Sequence, residues 1–294
     1  MVLSRLSILF IINPISGGKD KLKIPALVET YLDRTKFDPY FRITEYVGHA
    51  AELAAEAAEK DFDVIVAVGG DGTVNEIAAK VVQQRKILGV IPFGSGNGLA
   101  RFLNIPMNTA AALKVINNFH IKAIDTARFN GKFFCNMAGM GFDAHISSVF
   151  AGKKSRGFAG YLKVGIREIL NYKPEKYHLF IDGAEYNREA AMISIANSSQ
   201  YGNNAHISPE ASVTDGLLDV CIIKRLPLHK LPVLAYQMFN VKAGPSDMVE
   251  IIKGSNIRIV RDREGSIHID GEPYIMGREI EIFIEPLSLN VICP

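Results

Sequence analysis

The chain has 294 residues, 48% of them hydrophobic and 22% charged, with a formal net charge of +2. That is a globular composition long enough for two domains of ordinary size; it excludes a disordered chain, and the charge is too mild to argue for nucleic acid. Cys135, Cys221 and Cys293 are odd in number and far apart, which excludes a disulfide framework or a CxxC metal site and favours a reducing, cytoplasmic setting.

The N-terminus "MVLSRLSILFIINP" imitates a secretory signal, but "NPISGGKDK" follows where a small-residue cleavage site would stand. Residues 6–12 therefore read as a buried first strand. "IPALVETYLD" and "HAAELAAEAAEK" have helical spacing, while "DVIVAV" and "ILGVIP" are short apolar runs bounded by Gly and Pro. Strands alternating with helices imply a parallel sheet covered by helices on both faces. No apolar stretch reaches the roughly 18 residues of a membrane-spanning helix.

Three glycine-rich loops interrupt this first part. "FIINPISGGK" brings Asn13, Ser16, Gly17, Gly18 and Lys19. "AVGGDGTVNE" reads as a strand over 64–68, a turn over 69–72 and a helix from Thr73, with Thr73 and Glu76 spaced as a capping box. "GVIPFGSGNGLARFL" repeats the strand–loop–helix order one unit later. A helix N-terminus after a glycine turn offers unpaired N–H groups and the positive end of a dipole, and glycine lets a ligand approach the backbone. An acid there repels phosphate unless a cation intervenes. Asp71 thus reads as a metal-linked acid, as a base aimed at a hydroxyl, or as a plain turn residue bonding its own backbone. Three such loops at strand carboxyl ends point to a nucleotide cleft. Neither a Walker loop nor the Rossmann fingerprint is present. Lys19, Lys21 and Arg101 have the charge to neutralise phosphate, but the blander expectation is a solvated face.

After about residue 126 the texture changes. "KFFCNMAGMG", "KYHLFIDGAEY", "AAMISIANS", "LLDVCIIK", "NIRIVR", "SIHIDGEPYI" and "EIEIFIEP" are short, often alternating, and punctuated by Asp-Gly, Asn and Pro. They predict an antiparallel β-sandwich or barrel. "GYLKVGIREILNY" (160–172) and "PLHKLPVLAYQMF" are helical exceptions. Residues 150–168 gather Lys153, Lys154, Arg156, Lys163 and Arg167 around Phe150, Phe158 and Tyr161. They read either as a basic loop and amphipathic helix or as a dock for an anionic bilayer.

"NPISGG", "VGGDGTVNE" and "PFGSGNGLAR", in that order, resemble the diacylglycerol kinase catalytic domain family, which includes bacterial lipid kinases, sphingosine kinases and ceramide kinases. "NMAGMGFDAHI", "SPEASVTDGLLDVCII" and "IHIDGEPY" extend the resemblance over nearly the whole chain. It implies a nucleotide-binding α/β domain over 1–126, a β-sandwich lipid domain over 127–283, a last strand (about 284–294) returning to the first domain, and an active site between them. It also implies ATP with Mg²⁺ as donor and a lipid hydroxyl as acceptor at a membrane surface, with peripheral membrane contact and no nucleic acid. Oligomeric state stays open, a homodimer included.

Residue by residue, the resemblance implies nucleotide binding by Asn13, Ser16, Gly69, Gly70, Gly72, Thr73, Gly94, Ser95, Gly96 and Asn97. Glu272 matches the catalytic base of the bacterial members, and Asp71 an acid with that role or a metal-linked one. Asp215, with the carbonyls of Ser212 and Leu217, matches a structural Mg²⁺ site. Gly98 stands where many diacylglycerol kinases have Asp, and His145 falls near an acid of the sphingosine kinases, so the acceptor lipid stays open. From the residues alone, Asp270-Gly271 reads as a hairpin turn beside a solvated Glu272, and Asp215-Gly216 as a turn needing no metal. His145, His206 and His268 lack metal-ligand spacing. An NAD kinase sharing Gly-Gly-Asp-Gly-Thr and a lipid-binding protein without turnover remain the alternatives.

Overall fold

A computed structural model describes residues 5–18, 21, 23–60, 62–142, 144, 172–224, 228–240 and 246–294. The expected helix at 160–172, except its last residue, and the basic segment 150–168 lie outside the described residues, as do Lys19 and His145. The chain divides into two compact units: residues 1–124 with 287–294, and residues 125–286.

In the first unit, β1 (Leu6–Ile12), β2 (Phe37–Ile43), β3 (Val64–Gly69) and β4 (Ile87–Pro92) form a parallel sheet in the order β2-β1-β3-β4. All six residues of β3 are buried, as expected of a parallel strand covered on both faces. Helices α1 (Ile24–Tyr31), α2 (His49–Glu59), α3 (Asp71–Val81), α4 (Gly98–Phe102) and α5 (Thr109–Asn118) alternate with the strands. α2 buries Ala50, Leu53, Ala54, Ala57 and Ala58, one face at helical spacing. Each fully buried Ile or Val of β1 and β3 contributes on the order of 1.5–3 kcal/mol.

β2 has no counterpart in the sequence reading. Its "FDPYFRI" contains Pro39 and buries only Phe37, so neither periodicity nor composition marks it. It sits at the sheet edge, where a missing N–H is tolerated. The sheet reverses its order at β1: the chain leaves β1 for β2 on one side and reaches β3 on the other. The loops after β1 and β3 therefore flank a topological switch point.

β5 (Ile121–Phe129) carries the chain into the second unit, where every described strand pairing is antiparallel. One sheet holds β5, β6 (Lys132–Phe134), β8 (Glu175–Ile181), β9 (Ala184–Ala190) and β15 (Asn256–Arg261), together with the start of β18 (Glu279–Ile292). The other runs β14 (Val249–Gly254), β13 (Leu218–Ile223), β10 (Met192–Ala196), β7 (Met137–Gly141), β16 (Gly265–Ile269), β17 (Glu272–Met276). β11 (Gln200–Gly202) and β12 (Ala205–His206) make a small ribbon. Alternation builds the core: Ile257 and Ile259 of β15 and Ile280 and Ile282 of β18 meet Ile193, Ile195, Val220 and Ile267 in one buried cluster. α6 (Leu231–Phe239) is the expected second helical exception. The end of β18 belongs to the first unit, where Asn290 and Val291 pair in parallel with Ile87 and Leu88.

Candidate functional site

In the first unit the three glycine loops lie at the carboxyl ends of β1, β3 and β4 and are tied to one another. The Asn13 side-chain amide donates to Thr73 Oγ1 at 2.9 Å, joining the first loop to the second. The Asp71 carboxylate joins the second to the third: Oδ2 accepts the Asn97 N–H and Oδ1 the Gly98 N–H, each at 2.8 Å. First and third loops meet at Gly17, whose φ is +61° and where a Cβ would stand 1.7 Å from the Phe93 carbonyl oxygen. A Cβ on Gly94 would stand 2.6 Å from the Gly70 Cα. Glycine is therefore required at Gly17 for both conformation and space, and at Gly94 for space.

Asn97 fixes the third loop from within. It adopts φ 51°, accepts the Gly94 N–H at 2.7 Å and donates to the Gly94 carbonyl at 2.8 Å. Arg101 donates to the Gly96 carbonyl at 3.0 Å, so it braces the loop. Lys21 departs from the expected solvated face. It is buried, donates to the Pro14 carbonyl at 3.1 Å and to the Ser16 carbonyl, and lies over the Phe93 ring. Burial pushes its pKa down. Its ammonium closes the first loop on itself, as does the Ser16 hydroxyl donating to the Asn13 carbonyl at 3.2 Å.

The expected capping box does not form. α3 begins at Asp71, two residues before Thr73, with Gly70 as N-cap and no side chain capping it. Thr73 sits in the first turn with its hydroxyl turned to Asn13, and Glu76 accepts the Gly48 N–H at 3.3 Å instead. Asp71 does not act as a simple turn residue either, since the two bonds that define its position cross to the next βα unit. The uncapped start of α3 and the glycine backbones around it form a surface suited to phosphate oxygens.

In the second unit Glu272 is the first residue of β17, opposite Ile269. Asp270 and Gly271 between them have φ 45° and 87°, a type I′ turn as Asp-Gly predicts. Glu272 is exposed and has no ion-pair partner among the described residues. Asp270 points the other way: buried, it accepts the N–H groups of Cys135, Asn136 and Met137 at 3.0, 3.0 and 2.8 Å. It anchors the turn that carries Glu272. Sequence reasoning missed this role, because nothing local distinguishes a buried hairpin Asp from a solvated one.

The Asp215 carboxylate is engaged by protein groups on both oxygens. Asp215 Oδ1 accepts the Leu217 N–H at 3.2 Å, and Oδ2 lies 3.3 Å from Lys253 Nζ. The same ammonium lies 3.4 Å from Oδ1 of Asp219, whose Oδ2 accepts from Ser208. Burial alone would lower the Lys253 pKa, but the Asp219 and Asp215 carboxylates together outweigh it and raise it. An ammonium thus lies beside the one carboxylate that the resemblance assigns to the cation. Ser212 turns its hydroxyl to Thr214, and buried Asp125 holds the Gly216 N–H at 2.9 Å, so the turn is braced by protein groups. Among the described residues no group of three or more His, Cys, Asp or Glu could hold a metal. Two of the sequence-read histidines follow the polar or packed expectation: His206 bonds Ser199 Oγ at 2.9 Å, and His268 is buried.

Comparison with known proteins assigns both units. Residues 7–129 match the diacylglycerol kinase catalytic domain, and residues 136–293 match the YegS C-terminal NAD kinase beta sandwich-like domain. A "Probable lipid kinase YegS-like" from Klebsiella pneumoniae (strain 342) is 31% identical over 264 residues, 87% of this chain and 86% of that one. A diacylglycerol kinase of Bacillus subtilis (strain 168) is 28% identical over 268 residues, 89% of this chain and 88% of that one. A crystal structure of a diacylglycerol kinase from Bacillus anthracis str. Sterne shares the fold, with TM-score 0.75 at 23% identity over 98% of this chain and 97% of that one. Another structure from the same organism gives TM-score 0.80 at 26% identity.

Proposed function

Because the chain belongs to the diacylglycerol kinase catalytic domain family, a family of lipid kinases, we propose that it transfers the γ-phosphoryl group of ATP to a hydroxyl of a diacylglycerol-like or sphingoid lipid. The observation that carries the reading is the closed set of ties among the three loops, above all the Asp71 carboxylate on the Asn97 and Gly98 N–H groups.

ATP would bring Mg²⁺ with it, which would offset the charge developing on the transferred phosphoryl group. Its phosphates lie against the backbone of Gly69, Gly70, Gly72 and Thr73 on one side and Gly94, Ser95 and Gly96 on the other, with Asn13 and Ser16 completing the wall. Asp71 is the organiser of this surface, since its oxygens are committed to two backbone donors. Glu272 takes the proton of the lipid hydroxyl, the oxygen forms its bond to the γ-phosphorus, and the bond to ADP breaks. An exposed carboxylate without an ion-pair partner among the described residues is suited to accept that proton. The proposed setting is the cytoplasm, with peripheral association to a membrane surface.

The test is radiolabelled ATP offered with diacylglycerol, monoacylglycerol, phosphatidylglycerol, sphingosine and ceramide in mixed micelles, and separately with NAD. Label in one lipid class is expected and names the acceptor. The match of residues 136–293 to an NAD kinase-like sandwich favours a second reading, NAD phosphorylation; label in NAD and in no lipid would replace the first reading with it. Lipid binding with no ATP consumed would leave a lipid-binding protein on the same fold.

A further inference from the structure

Lys21 is a cation set under the first glycine loop. It is 4% exposed, and no carboxylate pairs with it among the described residues. Its ammonium donates to the Pro14 and Ser16 carbonyls and meets the face of the Phe93 ring, 5.5 Å from the ring centroid. Carbonyl dipoles and a ring face soften the burial of a charge but do not cancel it. Replacing a buried charge by an apolar side chain of similar volume is often neutral or stabilising. Stability alone therefore gives no reason for an ammonium at this place, since methionine would fill the same space.

The bonds around it say what the charge does. The Ser16 hydroxyl donates to the Asn13 carbonyl, so the carbonyls of Asn13, Pro14 and Ser16 all have donors from within the segment. A carbonyl oxygen held in this way is not free to face a phosphate oxygen, which it would repel. Phe93 belongs to the third loop, and its carbonyl is the group that Gly17 approaches. One side chain thus sets the carbonyls of the first loop and seats that loop on the third. An anion resting on the first loop would supply the counter-charge. Across a thin layer of backbone, shielded from water, salt screens that attraction little.

We infer that Lys21 is a positioning residue for the phosphate donor: from beneath the first loop it holds the Pro14 and Ser16 carbonyls and lends its charge to the polyphosphate above, without touching it. The inference rests on the reading of the glycine loops as an ATP site, but its test does not depend on turnover.

The full chain is titrated with inorganic tripolyphosphate and, separately, with a non-hydrolysable ATP analogue. The wild type is expected to bind both. Lys21→Met should weaken each about tenfold, the size of one charge-assisted contact. The melting temperature of the nucleotide-free variant should equal that of the wild type or exceed it. With a lipid acceptor that is turned over, KM for ATP should rise by the same factor while kcat stays within about twofold. Lys23→Met removes an exposed cation from the same segment and should change none of these. The inference is overturned if the wild type binds neither probe, if Lys21→Met binds both as the wild type does, or if kcat falls with KM unchanged. A Lys21→Met variant that melts several degrees lower or fails to fold also overturns it, because the ammonium would then be a structural bond. An equal loss of binding in Lys23→Met overturns it too, since general charge would be the cause. Binding of both probes with the expected dependence on Lys21, but no acceptor phosphorylated, would remove the kinase reading and leave the role of Lys21 in place.

Discussion

Asp71 in the first unit and Asp270 in the second both stand beside a glycine at a strand end, and both use their carboxylates to gather backbone N–H groups from a distant loop. They differ in what is gathered. Asp71 takes Asn97 and Gly98, within the rim of glycine loops after the parallel strands. Asp270 takes Cys135, Asn136 and Met137 inside the sandwich and leaves the adjoining Glu272 in solvent. Asp182, in another Asp-Gly turn, repeats the device on Ser255 and Asn256, and those bonds, Ser255 first, hold its pKa below the usual carboxylate value. One local signal therefore serves three purposes: joining two glycine loops, anchoring the turn that carries Glu272, and joining two hairpins.

Replacing each acid by its amide separates those purposes. Under the proposed reaction, Glu272→Gln and Asp71→Asn each lower phosphorylation of the acceptor lipid about 100-fold or more. Glu272→Gln should leave stability within about 0.5 kcal/mol, because the side chain is exposed. Asp270→Asn should cost about 3 kcal/mol in denaturant unfolding, because an amide sets a donor against one of three backbone donors in a buried place. Asp71→Asn should fall between them, at about 1–2 kcal/mol. Full turnover in Asp71→Asn and Glu272→Gln would end the mechanism, and an unchanged unfolding midpoint in Asp270→Asn would end its anchoring role.

Those contrasts mark the limit of what the sequence carries. The parallel sheet, its helices, the antiparallel second unit and the Asp270-Gly271 turn follow from periodicity and turn chemistry, which are local. β2 is hidden because an edge strand with Pro39 and an exposed face shows no pattern. The capping box at Thr73 and Glu76 is a correct pattern in the wrong register: Asp71 and Gly72 enter the helix once the Asp71 carboxylate is drawn to the neighbouring loop. The loop residues were legible as a group, but the ties between loops were not, since Asp71 and Asn97 are separated by a whole βα unit. Lys253 lies far from Asp215 in sequence and gives no sign of its ion pair.

A further contrast distinguishes glycine needed for space from glycine needed only for conformation. Gly17 and Gly183 both have positive φ, +61° and +86°. A Cβ at Gly17 would overlap the Phe93 carbonyl, whereas at Gly183 nothing lies within 4 Å. Gly183→Ala should therefore cost only the left-handed strain, about 1–2 kcal/mol. Gly17→Ala should lose that plus about 1–3 kcal/mol of crowding, unless the first loop moves away from the third. If the loop moves, ATP affinity falls instead, and titration with a non-hydrolysable ATP analogue reads it. Equal unfolding midpoints for the two variants, together with unchanged nucleotide affinity, would show that the first and third loops are not in the close contact described.

The smallest effect concerns the Asp215 turn, where the family resemblance implies a metal and the Lys253 ammonium lies beside the carboxylate. If Lys253 supplies the positive charge, the nucleotide-free protein melts at the same temperature with excess chelator as with millimolar Mg²⁺. The ammonium is partly exposed, so Lys253→Met should cost only about 1 kcal/mol. In that variant Asp215 and buried Asp219 face each other without a counter-charge, and added Mg²⁺ should recover part of the loss. A wild-type melting temperature that drops with chelator, and that no longer does so in Asp215→Asn, would show instead that the turn takes a metal and that Lys253 swings aside for it.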